Sequence, residues 1–240
     1  MVFLKRNKRL KDKTMKNGAP LIVEYDSTSP IAEQFRIVRT NIKFSVIGDE
    51  NKAISITSAN PSEGKSVFIS NLAATFAQQN DKTLLIDADL RRPTVHRTFM
   101  ISNQEGLSNL LSGSLELNDV IKHTQIDNLD VITSGPIPPN PAELIGSDNF
   151  TRMLKELNDK YDRILIDTPP VNAATDAALI ASACYGVIIV VPQGIADKAA
   201  VKNTVEQLKK VDAKILGSVM NRVNAMKSEG YGGYYGTEEK

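Results

Sequence analysis

The chain has 240 residues, of which 41% are hydrophobic, and its 29 Lys and Arg nearly balance its 28 Asp and Glu. This length suits one α/β domain with a sizeable core, and the balanced charge does not point to nucleic-acid binding. The single cysteine, Cys184, excludes an intramolecular disulfide and suits a reducing cytoplasm. No apolar run approaches the ~20 residues that span a bilayer, and no signal peptide is expected.

The N-terminal segment, residues 1–28, is predicted to be basic and disordered. Residues 1–18 hold seven basic side chains and one acidic one, too few apolar groups to pack a core. Within this segment, residues 21–25 are expected to form a short strand or an extended arm. Ser29 and Pro30 then open a predicted helix over residues 31–44.

Short apolar runs alternate with amphipathic stretches along residues 29–226, the predicted main domain. Continuous apolar runs are typical of parallel strands that are covered on both faces. We therefore predict an α/β fold, a mostly parallel sheet with helices on both faces. A further helix is expected to start at Asn140, with Pro141 as its first residue. The predicted strands are Ala53–Ser58, Thr83–Asp87, Leu129–Thr133, Arg163–Asp167, Gly186–Val191 and Ile215–Asn221.

The strongest functional signal is a phosphate-binding loop. Residues 59–66 read Ala-Asn-Pro-Ser-Glu-Gly-Lys-Ser, which is the Walker A spacing with alanine in place of the first glycine. Backbone N–H groups of such a loop bind anions at a helix N-terminus, so we expect a P-loop NTPase-like fold with ATP and Mg²⁺ as cofactors. Lys65 is expected to reach the β- and γ-phosphates, and the Ser66 hydroxyl to ligate Mg²⁺. The residues predicted to contact the ATP phosphates are Pro61, Ser62, Glu63, Gly64, Lys65, Ser66 and Val67.

Three aspartates stand where predicted strands end. Asp87 and Asp89 close one strand and Asp167 closes another, and ligands of open α/β sheets bind at the carboxyl ends of the strands. Asp167 is the expected Walker B residue, and the predicted metal ligands are Ser66, Asp87 and Asp167. One of Asp87 and Asp89 is a candidate acceptor for the proton of an attacking hydroxyl, so Lys65 and the three aspartates are the predicted catalytic residues. A helix N-cap is the alternative role for any one aspartate.

Taken together, these motifs resemble those of the bacterial tyrosine kinases. The resemblance rests on residues 59–66, on Leu-Ile-Asp-Ala-Asp-Leu-Arg-Arg-Pro at 85–93, on Ile-Leu-Ile-Asp-Thr-Pro-Pro at 164–170 and on a terminal tyrosine cluster. It runs from about residue 29 to the end. The chain is most similar to the cytoplasmic subunit type found in capsule and exopolysaccharide operons of Gram-positive bacteria.

The resemblance implies an ATP-dependent protein-tyrosine autokinase that assembles into a ring-shaped homo-oligomer and does not bind nucleic acid. Glu33, Arg36 and Arg39 match the family's Glu-x-x-Arg-x-x-Arg oligomerisation segment and lie on broadly one helix face; an intrahelical Glu–Arg pair is the alternative. Two partners are implied: a membrane-anchored activator, which recruits the cytoplasmic kinase to the inner face of the membrane, and a cognate phosphotyrosine phosphatase. The implied role is regulation of capsule or exopolysaccharide synthesis and export.

The tail over residues 227–240 is predicted to be a flexible, tyrosine-rich appendage. Tyr231, Tyr234 and Tyr235 stand in Gly-Tyr-Gly-Gly-Tyr-Tyr-Gly, and the glycines let the segment enter a cleft in extended form. These tyrosines are the expected phosphorylation sites, modified in trans within the oligomer. Several phosphates of about −1.5 to −2 charge each would then repel one another and loosen the ring.

Two weaker features lie near the predicted site. Asn221 and Arg222 close the last strand, where related ATPases often read the base, so they are candidate adenine contacts, with a packed strand end as the alternative. Arg91 and Arg92 are candidates for contact with phosphate or with a neighbouring subunit, and a solvated surface is the alternative for both.

The main alternative function is a partitioning or site-selection ATPase of the deviant Walker A class, without kinase activity. Such proteins carry a signature lysine early in the loop, where this chain has Asn60, and they often end in an amphipathic membrane helix that residues 227–240 cannot form. An iron–sulfur carrier on the same fold needs paired cysteines, and Cys184 is alone. A nucleotide-binding scaffold would keep Lys65 without making phosphotyrosine.

Overall fold

The structure is a computed structural model that describes residues 17–46 and 51–223. The basic residues before position 17 and the tyrosine tail lie outside the described residues. The helices are α1 (Ile22–Tyr25), α2 (Pro30–Ser45), α3 (Lys65–Ala77), α4 (Val95–Thr98), α5 (Leu107–Leu111), α6 (Leu117–Val120), α7 (Pro141–Ile145), α8 (Asp148–Lys160), α9 (Asp176–Ala183) and α10 (Lys198–Lys210). The strands are β1 (Ala53–Ser58), β2 (Thr83–Asp87), β3 (Ile121–His123), β4 (Leu129–Ile132), β5 (Arg163–Asp167), β6 (Gly186–Pro192) and β7 (Ile215–Asn221).

The seven strands form one sheet in the order β3-β4-β2-β5-β1-β6-β7. All neighbouring pairs are parallel except β3 and β4, which are antiparallel. The predicted fold class is therefore confirmed, and the six predicted strands appear with ends shifted by at most one residue. The sequence did not predict β3, because its three residues are partly exposed and contain no apolar run.

Each central strand contributes side chains to two cores, one on each face of the sheet. Leu85 packs with the buried helix α3 on one face, and its neighbours Leu84 and Ile86 pack with α8 on the other. This explains why the strand sequences read as continuous apolar runs. Within residues 17–46 and 51–223, none of the helices combines the length and the apolar character that a membrane crossing needs.

Residues 17–28 depart from the prediction of a disordered segment with a strand or extended arm. Residues 22–25 form the helical turn α1, and Val23 is only 1% exposed. Asn71 of α3 accepts from the Val23 N–H at 3.2 Å and donates to the Pro20 carbonyl at 2.8 Å, and the Ala19 N–H donates to Thr98 Oγ1 at 2.8 Å. The backbone groups that would pair in a strand are thus partly satisfied by side chains of α3 and α4, and the segment packs onto the domain.

Two predicted helix starts are confirmed, although only one has a side-chain cap. Helix α2 begins at Pro30, and Ser29 Oγ accepts from the Ala32 N–H at 3.2 Å. Helix α7 begins at Pro141 as expected, but Asn140 makes no capping bond and instead donates to a Glu143 carboxylate oxygen at 3.0 Å.

The edge strand β7 is irregular where it pairs with β6. The register shifts between Val187 and Ile188, whose partners are Ile215 and Gly217, so Leu216 is an extra residue on β7. Gly217 has a φ of +155°, and Gly217 and Ser218 are exposed.

Candidate active site

The phosphate loop connects β1 to α3 at the carboxyl edge of the sheet. Its backbone takes left-handed conformations at two positions, Ser62 with φ +65° and Gly64 with φ +96°, and Gly64 is the N-cap of α3. A Cβ on Gly64 would lie 2.2 Å from Asn221 Nδ2. Both the backbone angle and this close approach therefore require glycine here.

Side chains brace the loop from within. The buried Glu63 accepts from the Asn60 N–H at 3.2 Å and from Asn60 Nδ2 at 3.4 Å. Lys65 is only 7% exposed, and its Nζ donates to Ser58 Oγ at 3.1 Å. These contacts fix the shape of the loop from within, and the Lys65 ammonium lies at the end of β1.

The other predicted phosphate contacts occupy the tip of the loop and the start of α3. Pro61 and Ser62 are exposed at the tip, whereas Ser66 and Val67 are half-buried in the first helical turn. The loop therefore places the predicted residues around the N-terminus of a 13-residue helix, the arrangement in which backbone N–H groups bind phosphate.

Two of the predicted aspartates lie side by side on neighbouring strands. Asp87 of β2 is the register partner of Asp167 of β5, and the two are 0% and 1% exposed. Asp87 Oδ2 accepts from the N–H groups of Thr94 and Val95 at 3.1 and 3.0 Å. Its Oδ1 and both oxygens of Asp167 are buried without a hydrogen-bond partner among the described residues.

The third aspartate has a different environment. Asp89 is half-buried in the turn after β2, and its Oδ1 accepts from the Arg92 N–H at 3.0 Å. This local bond resembles the capping role that was the alternative for a single aspartate. Asp89 nevertheless stays close enough to raise the pKa of both Asp87 and Asp167.

Burial dominates the electrostatics of the paired carboxylates. Burial raises the pKa of Asp167 to about 6, against the opposing effects of the Lys65 charge and of the nearby Ser66 hydroxyl, which does not reach hydrogen-bonding geometry. Burial also raises the pKa of Asp87 well above its ordinary value, and the Asp167 charge adds to this effect. The site therefore pairs two buried carboxyl groups whose ionised forms are costly and are only partly offset by the Lys65 charge.

This arrangement fits a cation that is shared with a nucleotide. Mg²⁺ prefers oxygen ligands, and in nucleotide sites it is held by one or two carboxylates together with phosphates and water. Asp87 and Asp167 offer three buried oxygens without hydrogen-bond partners. Within the described part of the chain, no group of three or more His, Cys, Asp or Glu side chains suits a metal ion by itself, so phosphate oxygens would have to complete the coordination.

Comparison with known proteins agrees with this geometry. Residues 51–218 match a family model described as an AAA domain. The chain is 42% identical over 208 residues to the tyrosine-protein kinase YwqD of Bacillus subtilis, covering 87% of each chain. It is 41% identical over 210 residues to the tyrosine-protein kinase CpsD of Streptococcus agalactiae, covering 87% of this chain and 91% of that one. The chain belongs to the bacterial tyrosine kinase family.

Solved structures of related proteins share the fold. The kinase domain of the Escherichia coli tyrosine kinase ETK superposes with a TM-score of 0.84 at 37% identity, over 91% of this chain and 85% of that one. The chimerical protein CapA2B2 gives a TM-score of 0.81 at 42% identity, over 89% and 98% of the two chains. The chain is thus a protein-tyrosine kinase with an ATP-binding P-loop, and its predicted fold is that of its relatives.

The site-selection ATPases share this fold at a greater distance. The septum site-determining protein MinD of Pyrococcus horikoshii, solved with Mg-ADP, gives a TM-score of 0.61 at 26% identity, over 70% of this kinase and 69% of that protein. In the kinase, Asn60, the residue that departs from the deviant Walker A pattern, donates through its backbone and its side chain to the buried Glu63.

The predicted oligomerisation residues do not form one free surface on this kinase. Glu33 and Arg36 make an exposed intrahelical ion pair at 2.8 Å, the alternative that the sequence offered. Arg39 is 7% exposed and points inward, where its Nη1 donates to the Thr75 carbonyl at 2.9 Å. The expectation that all three residues lie on one face is wrong for Arg39, because residues six apart on a helix are separated by about 120° around its axis.

The sequence missed one ion pair beside the site. Arg91 donates to the two carboxylate oxygens of Asp176 at 2.9 and 3.2 Å, and Asp176, the first residue of α9, is fully buried. Arg91 therefore ties the turn after β2 to the helix that follows the β5 loop, although it is exposed like its neighbour Arg92. No local pattern signals Asp176, since its partner lies 85 residues away.

Proposed function

We propose that this kinase uses MgATP to phosphorylate Tyr231, Tyr234 and Tyr235 of a neighbouring copy within a homo-oligomeric ring. The proposal is carried by one observation: a braced phosphate loop lies beside two buried carboxylates, three of whose four oxygens lack hydrogen-bond partners among the described residues. An anion cradle beside an unneutralised acidic pair is the arrangement that a nucleotide and its Mg²⁺ complete together.

Each group in the site has a proposed task. The loop N–H groups and Lys65 hold the phosphates and offset the charge that develops during transfer. Asp87, Asp167 and Ser66 hold Mg²⁺, which when bound would neutralise phosphate charge. Phosphoryl transfer of this kind depends mainly on positioning and charge, so it asks little of a base.

Asp89 is our candidate for accepting the tyrosine proton. Asp87 and Asp167 are fully buried, whereas Asp89 is half-buried in the turn and can meet an incoming phenol. A carboxylate at hydrogen-bond distance from the hydroxyl can take its proton as the phosphoryl group moves.

The start of the tail supports the choice of substrate. Val223, the last described residue, directly follows Arg222, which contacts the loop carbonyl of Ser62. Tyr231 comes eight residues later, so the covalent chain between them spans at most ~28 Å. Such a short tether holds the tyrosines, at an effective concentration of up to about the mM range, near the loop of their own copy and of any copy whose loop lies within that reach. Transfer in trans therefore requires a neighbouring loop to lie within it.

The deciding experiment separates donor from acceptor. One protein would carry Lys65→Met with its tyrosines intact, and the other would be active but carry all three tyrosines as Phe. Both would be mixed with MgATP and the genomically adjacent membrane partner, and peptide masses would be measured. Phosphate on the tail of the Lys65→Met protein is expected, because it can arise only in trans.

Two other outcomes would redirect the proposal. If wild-type protein alone gains phosphate and the mixture does not, transfer occurs within one chain. If the wild type hydrolyses ATP with no phosphotyrosine on any peptide, the partitioning-type ATPase becomes the better assignment.

Partners and biological role follow from the family resemblance. We propose a membrane-anchored activator that recruits the kinase to the inner face of the membrane, a cognate phosphatase that reverses the modification, and regulation of capsule or exopolysaccharide synthesis and export. The relative named as a chimerical protein, CapA2B2, supports a two-component assembly. Co-sedimentation of the kinase with membranes should depend on the partner, and deletion of the partner should release the kinase into the supernatant.

A further inference from the structure

The end of β7 holds the phosphate loop from outside. Asn221 Nδ2 donates to the Glu63 carbonyl at 3.1 Å, and Arg222 Nη2 donates to the Ser62 carbonyl at 2.8 Å. The partners lie 158 and 160 positions apart in the sequence, so only the fold brings them together. Two consecutive carbonyls of the loop are thus fixed by two consecutive residues of one strand end.

Peptide geometry gives these two contacts a consequence. In a planar trans peptide, the C=O of one residue and the N–H of the next point in opposite directions. When the Ser62 carbonyl turns outward to Arg222, the Glu63 N–H turns inward. The Glu63 carbonyl and the Gly64 N–H are related in the same way. Both N–H groups then face the concave side of the loop at the start of α3, where an anion binds.

The end of β7 is rigid enough to serve as this support. Asn221 pairs with Pro192 at the end of the parallel ladder, and its carbonyl accepts from the Gln193 N–H at 2.8 Å. Its Oδ1 accepts from the Arg222 N–H at 2.8 Å, which sets the direction of its Nδ2. The side chain therefore cannot turn toward another ligand without losing two hydrogen bonds.

We infer that Asn221 and Arg222 are positioning residues that aim the N–H groups of Glu63 and Gly64 at the nucleotide phosphates. They set phosphate affinity through the loop backbone, a role distinct from the adenine contact that the sequence suggested for them. The inference rests on the proposed nucleotide site but only on its phosphate-binding part, and it does not require tyrosine phosphorylation.

The test compares a ligand with a base and one without. Affinities of the full chain for ADP and for inorganic tripolyphosphate would be measured by calorimetry for wild type, Asn221→Ala, Arg222→Ala and Arg222→Lys. We expect both alanine variants to lose roughly threefold to tenfold in affinity for both ligands by the same factor, the range that loss of one hydrogen bond gives. Arg222→Lys should recover part of the loss.

A matched control removes the same type of bond elsewhere. Asn149 Nδ2 also donates to a backbone carbonyl, that of Leu111 at 2.9 Å, so Asn149→Ala should leave both affinities unchanged. Melting temperatures would show whether each variant folds. If Asn221→Ala unfolds, the exposed Arg222 still provides the test.

The outcomes separate this inference from the proposed function. A loss of ADP affinity with unchanged tripolyphosphate binding would mean that the residues contact adenine, and unchanged affinity for both ligands would mean that they do not orient the loop; either overturns the inference. Parallel losses support it even if no phosphotyrosine forms. If Lys65→Met leaves tripolyphosphate binding intact, phosphate does not bind in this loop, and both the inference and the proposed site fail.

Discussion

The two halves of the active site differ in how complete they are. The phosphate loop is braced from within by Glu63 and from outside by Asn221 and Arg222. The facing acidic pair, Asp87 and Asp167, is buried with three oxygens that lack partners in the described chain. The anion-binding half is therefore held by hydrogen bonds within the fold, whereas the cation-binding half keeps an electrostatic cost that a bound cation or a proton can relieve.

The contrast indicates that one half of the site contributes to the stability of the fold and that the other half reduces it. The hydrogen bonds that orient the N–H groups of the loop also hold the fold together, so this half of the site does not lower the free energy of unfolding. Carboxylates that bind a metal must keep their oxygens free of hydrogen bonds and ion pairs within the protein. Their buried charge therefore destabilises the protein when no metal is bound. Changes in the two halves should then have opposite effects on the stability of the nucleotide-free protein.

The largest effect is expected from Asp167→Asn. Phosphotransfer should fall on the order of 100-fold or more, because a ligand of the cation is lost. At the same time, the nucleotide-free protein should become more stable by about 1–3 kcal/mol, because a buried charge with a raised pKa is removed. Phosphotyrosine yield and urea unfolding at neutral pH would measure the two effects. The exposed Asp159 provides the control, and a less stable Asp167→Asn would contradict the contrast.

The free energy of unfolding should depend on pH because of the buried Asp167 carboxylate. The folded-state pKa of Asp167 is about 6, above its ordinary 3.8, so the folded protein binds the proton more tightly than the unfolded chain. The stability that this group contributes is greatest at low pH and is lost as pH rises through about 6. Wild type should therefore lose more unfolding free energy than Asp167→Asn between about pH 3.5 and pH 7, by up to about 3 kcal/mol, with about half of this loss above pH 5. Parallel curves for the two proteins would contradict the prediction.

In the braced half, Gly64→Ala should destabilise the protein and weaken nucleotide binding together. The φ of +96° strains any other residue, and the added Cβ would meet Asn221 Nδ2 at 2.2 Å, so a cost of about 1–3 kcal/mol is expected. Gly194→Ala is the matched control, since Gly194 has φ +70° with no atom near its Cβ position. Thermal unfolding and ADP affinity would be measured, and equal effects of the two substitutions would show that the close approach is unimportant.

The smallest effect concerns helix α2. Arg39 caps the Thr75 carbonyl near the C-terminus of α3, so Arg39→Met should cost about 1–2 kcal/mol. Glu33→Gln, which removes an exposed ion pair, should change stability by less than ~0.5 kcal/mol. Urea unfolding of both variants and light scattering of their assemblies would separate the two roles. If Arg39→Met no longer forms oligomers while its free energy of unfolding is unchanged, Arg39 acts at the interface between copies and its bond to Thr75 is not its main role.

The predictions from sequence succeeded where the signal was local. The positions of the loop and of Asp87 and Asp167 could be predicted because each motif directly follows a short apolar run, which in this context indicates a buried strand. The missed features all depend on distant segments meeting: the Arg91–Asp176 pair, the inward turn of Arg39, and the contacts of Asn221 and Arg222 with the loop. The helical turn at residues 22–25 was missed for the same reason, since Asn71 of α3 decides its backbone pairing.

The extra residue on β7 also bears on how copies of the kinase can associate. An edge strand exposes unpaired backbone groups that invite another strand, and a bulge with a glycine disrupts the regular spacing that such an addition needs. The shift at Val187 and Ile188, together with Gly217, places this irregularity near the start of the edge strand. The addition of another strand at this edge, and with it aggregation through a continuous intermolecular sheet, is therefore disfavoured.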